Sequence, residues 1–148
     1  MTSHFPLMGP EGPADAPWGA AVVIWDAHRR ALLQLRDDRP GVVHGGRWAL
    51  FGGGVEAGED PHHAAQREVE EELGITLPLP ALTPVVQTIS RPGGARLHIF
   101  ECQIQITPLQ IRLSEGAGFG FFTHAQLTAL PQAPYLKSLF DDYLSWEA

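Results

Sequence analysis

The sequence holds a single cysteine, Cys102, so no disulfide can close within it, and the apolar stretch His98-Ile99-Phe100-Glu101-Cys102 reads the thiol as a strand residue packed in a core. Cations are also scarce. Ten Lys and Arg against seventeen Asp and Glu give a formal charge of −7. Gripping duplex nucleic acid over a broad surface needs clustered cations to displace counterions from phosphates, so that class is excluded. No apolar run approaches the roughly 20 residues that span a bilayer, and no basic stretch leads into an apolar one near residue 1. Neither a membrane partner nor a secretory signal is therefore expected, and cytoplasmic residence is the default. Internal repeats are absent, and His44, His62 and His63 lack the spacing of zinc ligands.

What is present describes an ordinary globular chain. With 148 residues, 44% hydrophobic and 18% charged, it has room for one compact core. Residues 1–17 carry four prolines and no apolar period, which predicts a flexible or loosely packed tail before a single domain over 18–148. The run WGAAVVIW from Trp18 to Trp25 is apolar on successive residues, as in a central strand covered on both faces. Asp26 to Arg29 reads as a turn into a return strand, Ala31 to Arg36. Asp37 to Gly46 reads as an exposed loop before a short strand, Arg47 to Phe51.

Asp60 and Pro61 open a helix of about 13 residues that Gly74 closes. Pro84 to Ser90 and Arg96 to Ile106 form a second hairpin around Arg91-Pro92-Gly93-Gly94. A short strand, Phe119 to Phe122, precedes a brief helix capped by Thr123. A final helix places Tyr135, Leu136, Leu139, Phe140, Tyr143 and Leu144 on one core-facing stripe. Strands and helices interleave, so the fold class is α/β: a mixed sheet with helices packed on it.

The chemistry concentrates in Gly53 to Ile75, GGVEAGEDPHHAAQREVEEELGI. Spacings of three and four put Glu68, Glu71 and Glu72 in one helical sector, while Ala65, Val69 and Leu73 form an adjacent stripe that can pack on the sheet. Like charges so spaced destabilise a helix by about 0.2–0.5 kcal/mol per pair, and a glutamate-rich face is ordinarily only solvated. A hard divalent cation, Mg²⁺ or Mn²⁺, would offset the repulsion. The setting favours that ion: Arg67 is placed to orient a carboxylate, Gly52 to Gly54 allow close backbone approach, and Glu59 can anchor the loop or reach Arg67.

This segment resembles the Nudix box at every specified position, with Gly53, Glu59, Arg67, Glu68, Val69, Glu71, Glu72, Gly74 and Ile75 in register. The resemblance implies an α/β/α sandwich whose loop-helix-loop unit binds metal. It implies a small-molecule substrate in which a nucleoside diphosphate is linked to another group: a nucleoside triphosphate, ADP-ribose or a sugar nucleotide, or a dinucleoside polyphosphate. Glu68, Glu71, Glu72 and the Gly52 carbonyl would be the metal ligands, with Arg67 and Glu59 in support. Relatives often bring one more glutamate from a later loop; Glu115, six residues before Phe121, fits that place better than Glu101, and Phe121 stands where relatives frequently have tryptophan. The proton acceptor is left open among Glu68, Glu71 and Glu115. Arg36, Arg91 and Arg96 are candidate phosphate contacts, each read first as a surface arginine, and Trp25, Trp48 and Phe119 are read first as core. A homodimer is left open, and the rival reading is a catalytically silent nucleotide-binding module of the same fold.

Overall fold

The computed structural model describes residues 5–147. One mixed seven-stranded sheet forms its centre: β1 (Trp18–Trp25), β2 (Ala31–Leu35), β3 (Trp48–Ala49), β4 (Phe51–Gly54), β5 (Thr83–Ile89), β6 (Arg96–Gln103) and β7 (Gly118–Phe122). β1 and β2 pair only near their shared turn, at Ile24↔Leu32 and Trp25↔Ala31. Beyond that they diverge, and the chain from β3 to β4 enters the fork, pairing first with β2 at Gln34↔Ala49 and then with β1 from Val22↔Phe51 to Gly19↔Gly54. β6 runs parallel to β1 on its other edge, which makes the sheet mixed, and β5 pairs antiparallel with β6 as the second hairpin.

The successive apolar residues of β1 serve two cores. Ala21, Val23 and Trp25 face a cluster with Leu136, Leu139 and Phe140; Ala20, Val22 and Ile24 face one with Ala65, Val69 and Leu73. The second cluster belongs to helix α1 (Pro61–Leu73), the first to the C-terminal segment. Helices thus cover both faces, the expected α/β/α sandwich. Cys102 is buried in the second cluster, and burial pushes its thiol up to about 11.

Three expectations need correction. Residues 5–8 are packed rather than loose. Phe5 and Met8 are buried, Met8 N–H donates to the Gln87 carbonyl at 2.8 Å and Gln87 N–H to Pro6 at 2.9 Å, so the segment covers the free edge of β5. Residues 1–4 of the expected tail lie outside the described residues. The helix expected after Thr123 is a single turn, α2 (His124–Leu127). In the last helix, α3 (Leu136–Ser138) widens into a π-helical turn over Leu139–Tyr143, which breaks the 3.6-residue period and leaves Tyr143 exposed.

Candidate active site

Helix α1 begins and ends where local chemistry dictates. The Asp60 carboxylate accepts from His62 N–H at 2.8 Å, and Gly74 adopts φ 70° to return its N–H to the Glu70 carbonyl. Ala64, Ala65, Val69 and Leu73 are buried against the sheet, which fixes the helix rotation. Glu70 and Glu71 are consequently exposed, while Glu68 and Glu72 turn toward β4.

Strand β4 meets that face at its glycines. Gly52 N–H donates to Glu72 Oε1 at 2.8 Å. A Cβ at Gly52 would stand 2.1 Å from the Ala20 carbonyl oxygen, and one at Gly53 2.3 Å from Glu68 Cδ. Glycine at 53 lets the strand lie against the Glu68 carboxylate, and glycine at 52 lets it lie against β1.

Arg67 organises the acids at the mouth. Its Nε and Nη2 donate to the two Glu59 oxygens at 2.9 Å each, Nη2 reaches the Gly54 carbonyl at 2.9 Å, and Nη1 contacts Glu68 at 3.2 Å and Glu71 at 3.5 Å. The bidentate pair holds the Glu59 carboxyl down at about 2 and raises the guanidinium further above its ordinary value. Glu59 also accepts from Glu56 N–H at 3.0 Å, so it both anchors the loop and reaches Arg67.

Glu115 does come to this site. Arg112 N–H donates to the Leu73 carbonyl at 2.9 Å, Ser114 N–H to Glu72 at 3.0 Å, and Ala117 N–H to Leu35 at 2.8 Å. The loop from 112 to 117 therefore satisfies terminal carbonyls of α1 and brings Glu115 beside Glu72. Glu101 is elsewhere, accepting from Trp25 Nε1 at 2.9 Å and pairing with Arg29.

Glu72 is the most perturbed of these groups. It is 2% exposed, and burial, then the adjacent Glu115, then Glu68, push its carboxyl up to about 9 against the lowering effect of the Gly52 N–H. Its Oε2 is buried without a hydrogen-bond partner. Burial also raises Glu68, opposed by Arg67. Among the described residues, no three His, Cys, Asp or Glu side chains are gathered about one point.

Of the remaining candidates, Arg36 and Arg91 border a cavity of ≈ 390 Å³ that the Gly52–Gly54 backbone also lines. Arg96 is drawn off to the Ala16 carbonyl, at 3.0 Å from Nε and 2.7 Å from Nη2, and lies over the Trp18 ring. Trp25 and Phe119 are core residues, and Trp48 packs on Phe122. His63 is exposed and His62 half-buried against Phe100, contrary to an exposed pair. Sequence reasoning set His44 aside on metal-ligand spacing, yet its ring lines the same cavity; a non-glycine φ of 58° leaves no compositional signal.

Known proteins echo this architecture. Nucleoside triphosphatase NudI of Escherichia coli O139:H28 is 51% identical over 53 residues, which is 36% of this chain and 36% of that relative. The match thus spans little more than a third of the relative's length. The MutT protein of Methanosarcina mazei Go1 superposes with a TM-score of 0.66 at 20% identity, covering 86% of this chain and 94% of that one. The NUDIX domain of Shewanella oneidensis NrtR, in a complex with ADP ribose, gives a TM-score of 0.63 at 18% identity over 82% and 81% of the two chains. At these identities the two structures share the fold. No described helix is long and apolar enough to cross a membrane. A family model, the NUDIX domain, matches residues 15–143, all seven strands and the whole of the glutamate-bearing helix, and the chain belongs to that family.

Proposed function

We propose that the chain is a hydrolase that splits the diphosphate linkage of a nucleoside diphosphate joined to a second group, with a divalent cation held by Glu68, Glu71, Glu72 and the Gly52 carbonyl. The observation that carries this reading is Glu72, a buried carboxyl with an unpartnered oxygen, pressed against Glu115 and lifted to about 9. A buried acid crowded by further acids is stable as an anion only beside positive charge, and an all-oxygen donor set suits Mg²⁺ or Mn²⁺. Bound there, such an ion would neutralise charge on phosphate oxygens and make an attacking water more acidic.

The chain's own groups prepare that chemistry. Gly52 N–H orients Glu72, Arg67 orients Glu68 and Glu71, and Glu59 fixes Arg67 by two hydrogen bonds. Glu68, Glu71 or Glu115, acids here that keep solvent access, would accept the proton of that water. Support for a nucleotide comes from the nucleoside triphosphatase NudI, which matches over 53 residues, and from the ADP ribose bound to the NrtR domain. Triphosphates, ADP-ribose or sugar nucleotides and dinucleoside polyphosphates are the substrate classes.

A second reading, a silent nucleotide-binding module, is favoured by one observation: Arg67 already engages Glu68 and Glu71, and no three described acids surround one point. Product release from a panel of the three substrate classes, with Mg²⁺ or Mn²⁺, separates the two. The hydrolase reading expects turnover of one class; binding without turnover of any would favour the silent module.

A further inference from the structure

Strand β2 reads ALLQL, and its one polar residue, Gln34, is 1% exposed. Its Nε2 donates to the Leu50 carbonyl at 3.3 Å, while its Oε1 is buried without a hydrogen-bond partner. A buried amide is costly unless its hydrogen bonds are made, and this one makes a single long one. An apolar side chain would suit the core better. Departures of this kind from the local pattern fall characteristically at functional sites.

At Gln34, β2 is paired on both sides, with Ala49 of β3 and Phe119 of β7. On the first side the amide binds Leu50, two residues before Gly52. On the second it meets Gly116: a Cβ there would stand 2.9 Å from Gln34 Oε1 and 2.9 Å from the Leu35 carbonyl oxygen. Gly116 holds φ 86°, so both its conformation and its closeness to the amide disfavour a side chain. Glu115 is thereby held from both directions, by Ser114, whose N–H donates to the Glu72 carbonyl at 3.0 Å, and by Gly116 on the amide oxygen. Gln34 lines neither the ≈ 390 Å³ cavity nor one of ≈ 280 Å³ that Ser114, Glu115 and Gly116 border. It therefore acts on a ligand there only through these neighbours.

We propose that Gln34 is a positioning residue: its buried side chain, seated between the Leu50 carbonyl and Gly116, fixes how far Glu115 stands from Gly52 and Glu72. The inference rests on reading these acids as the site of a divalent cation, and it adds a residue outside that site that sets its geometry. Glu115 carries the effect, because its charge beside Glu72 adds to the attraction for the cation.

Calorimetric titration of Mn²⁺ into the wild type, Gln34→Met, Glu115→Gln and the double variant tests it, with thermal unfolding of each. Methionine keeps the length of the side chain and removes the unpartnered oxygen at the loss of one 3.3 Å bond. Gln34→Met is therefore expected to melt within about 4 °C of the wild type. Each single variant is expected to bind Mn²⁺ about tenfold more weakly, and the double variant no more weakly than Glu115→Gln, because groups that act as one are not additive. Wild-type affinity in Gln34→Met, losses that multiply in the double variant, or no Mn²⁺ binding by the wild type would overturn the proposal. So would a larger fall in the Gln34→Met midpoint, the mark of a residue that only holds the fold. Turnover is scored separately: a coupled loss of Mn²⁺ affinity without hydrolysis of any substrate class would sink the hydrolase reading and leave this one standing, and hydrolysis with unchanged Mn²⁺ affinity in Gln34→Met would do the reverse.

Discussion

Glu59 and Glu72, both carboxylates within one site, respond to pH in opposite directions. The Arg67 hydrogen bonds lower Glu59 from 4.5 to about 2, so its contribution to stability is complete above its ordinary value and is lost as pH falls through about 2. Thermal unfolding of the wild type and Glu59→Gln across the acid range is therefore expected to show the largest gap near neutrality, closing between pH 4.5 and about 2. A gap independent of pH would mean that the charge of Glu59 is not what holds Arg67. For Glu72 the protonated form is the one the fold favours without a cation, because burial and Glu115 raise it from 4.5 to about 9; that contribution is present in acid and fades as pH rises through this window.

At the scale of elements, neighbouring glycines in β4 have different tasks. A Cβ on Gly52 would strike the Ala20 backbone, which cannot move without the sheet, whereas one on Gly53 would strike the mobile end of the Glu68 side chain. Gly52→Ala is expected to cost about 3 kcal/mol in denaturant unfolding, and Gly53→Ala less than about 1 kcal/mol while displacing Glu68 and lowering turnover at least tenfold. Equal stability losses would argue against this division. The helix that carries the acids was legible because its signals are local: Asp60 and Pro61 start it, Gly74 stops it, and spacings of three and four group Glu68, Glu71 and Glu72. The approach of Glu115 was left open because it depends on hydrogen bonds from 112, 114 and 117 to α1 and β2, contacts no spacing encodes. The exposure of Tyr143 escaped the periodic reading because a π-helical turn changes the period itself.

On the scale of the whole molecule, the first described residues belong to the fold. Met8 packs in the core with Val86 and Ile99, and Thr88 Oγ1 donates to its carbonyl at 2.8 Å. Met8→Ala is expected to lower the unfolding free energy by about 2–4 kcal/mol, measured with denaturant; no loss would restore the free tail that the prolines predict. Sequence pattern could not reveal this packing, because the segment has no period of its own and gains order from the β5 edge. α1 presents its acids on one side of the sheet, and the ≈ 390 Å³ cavity is lined by Ala21, Leu50, Leu97 and Tyr135 of the other, with the Gly52–Gly54 backbone between them. The most direct test of the account is turnover of the preferred nucleotide by the wild type and Glu72→Gln, each with Mg²⁺ and with chelator. The account predicts Mg²⁺-dependent hydrolysis abolished by chelator and reduced at least a hundredfold in Glu72→Gln, which retains the Gly52 hydrogen bond but not the charge. Hydrolysis that persists in chelator, or a fully active Glu72→Gln, would contradict it.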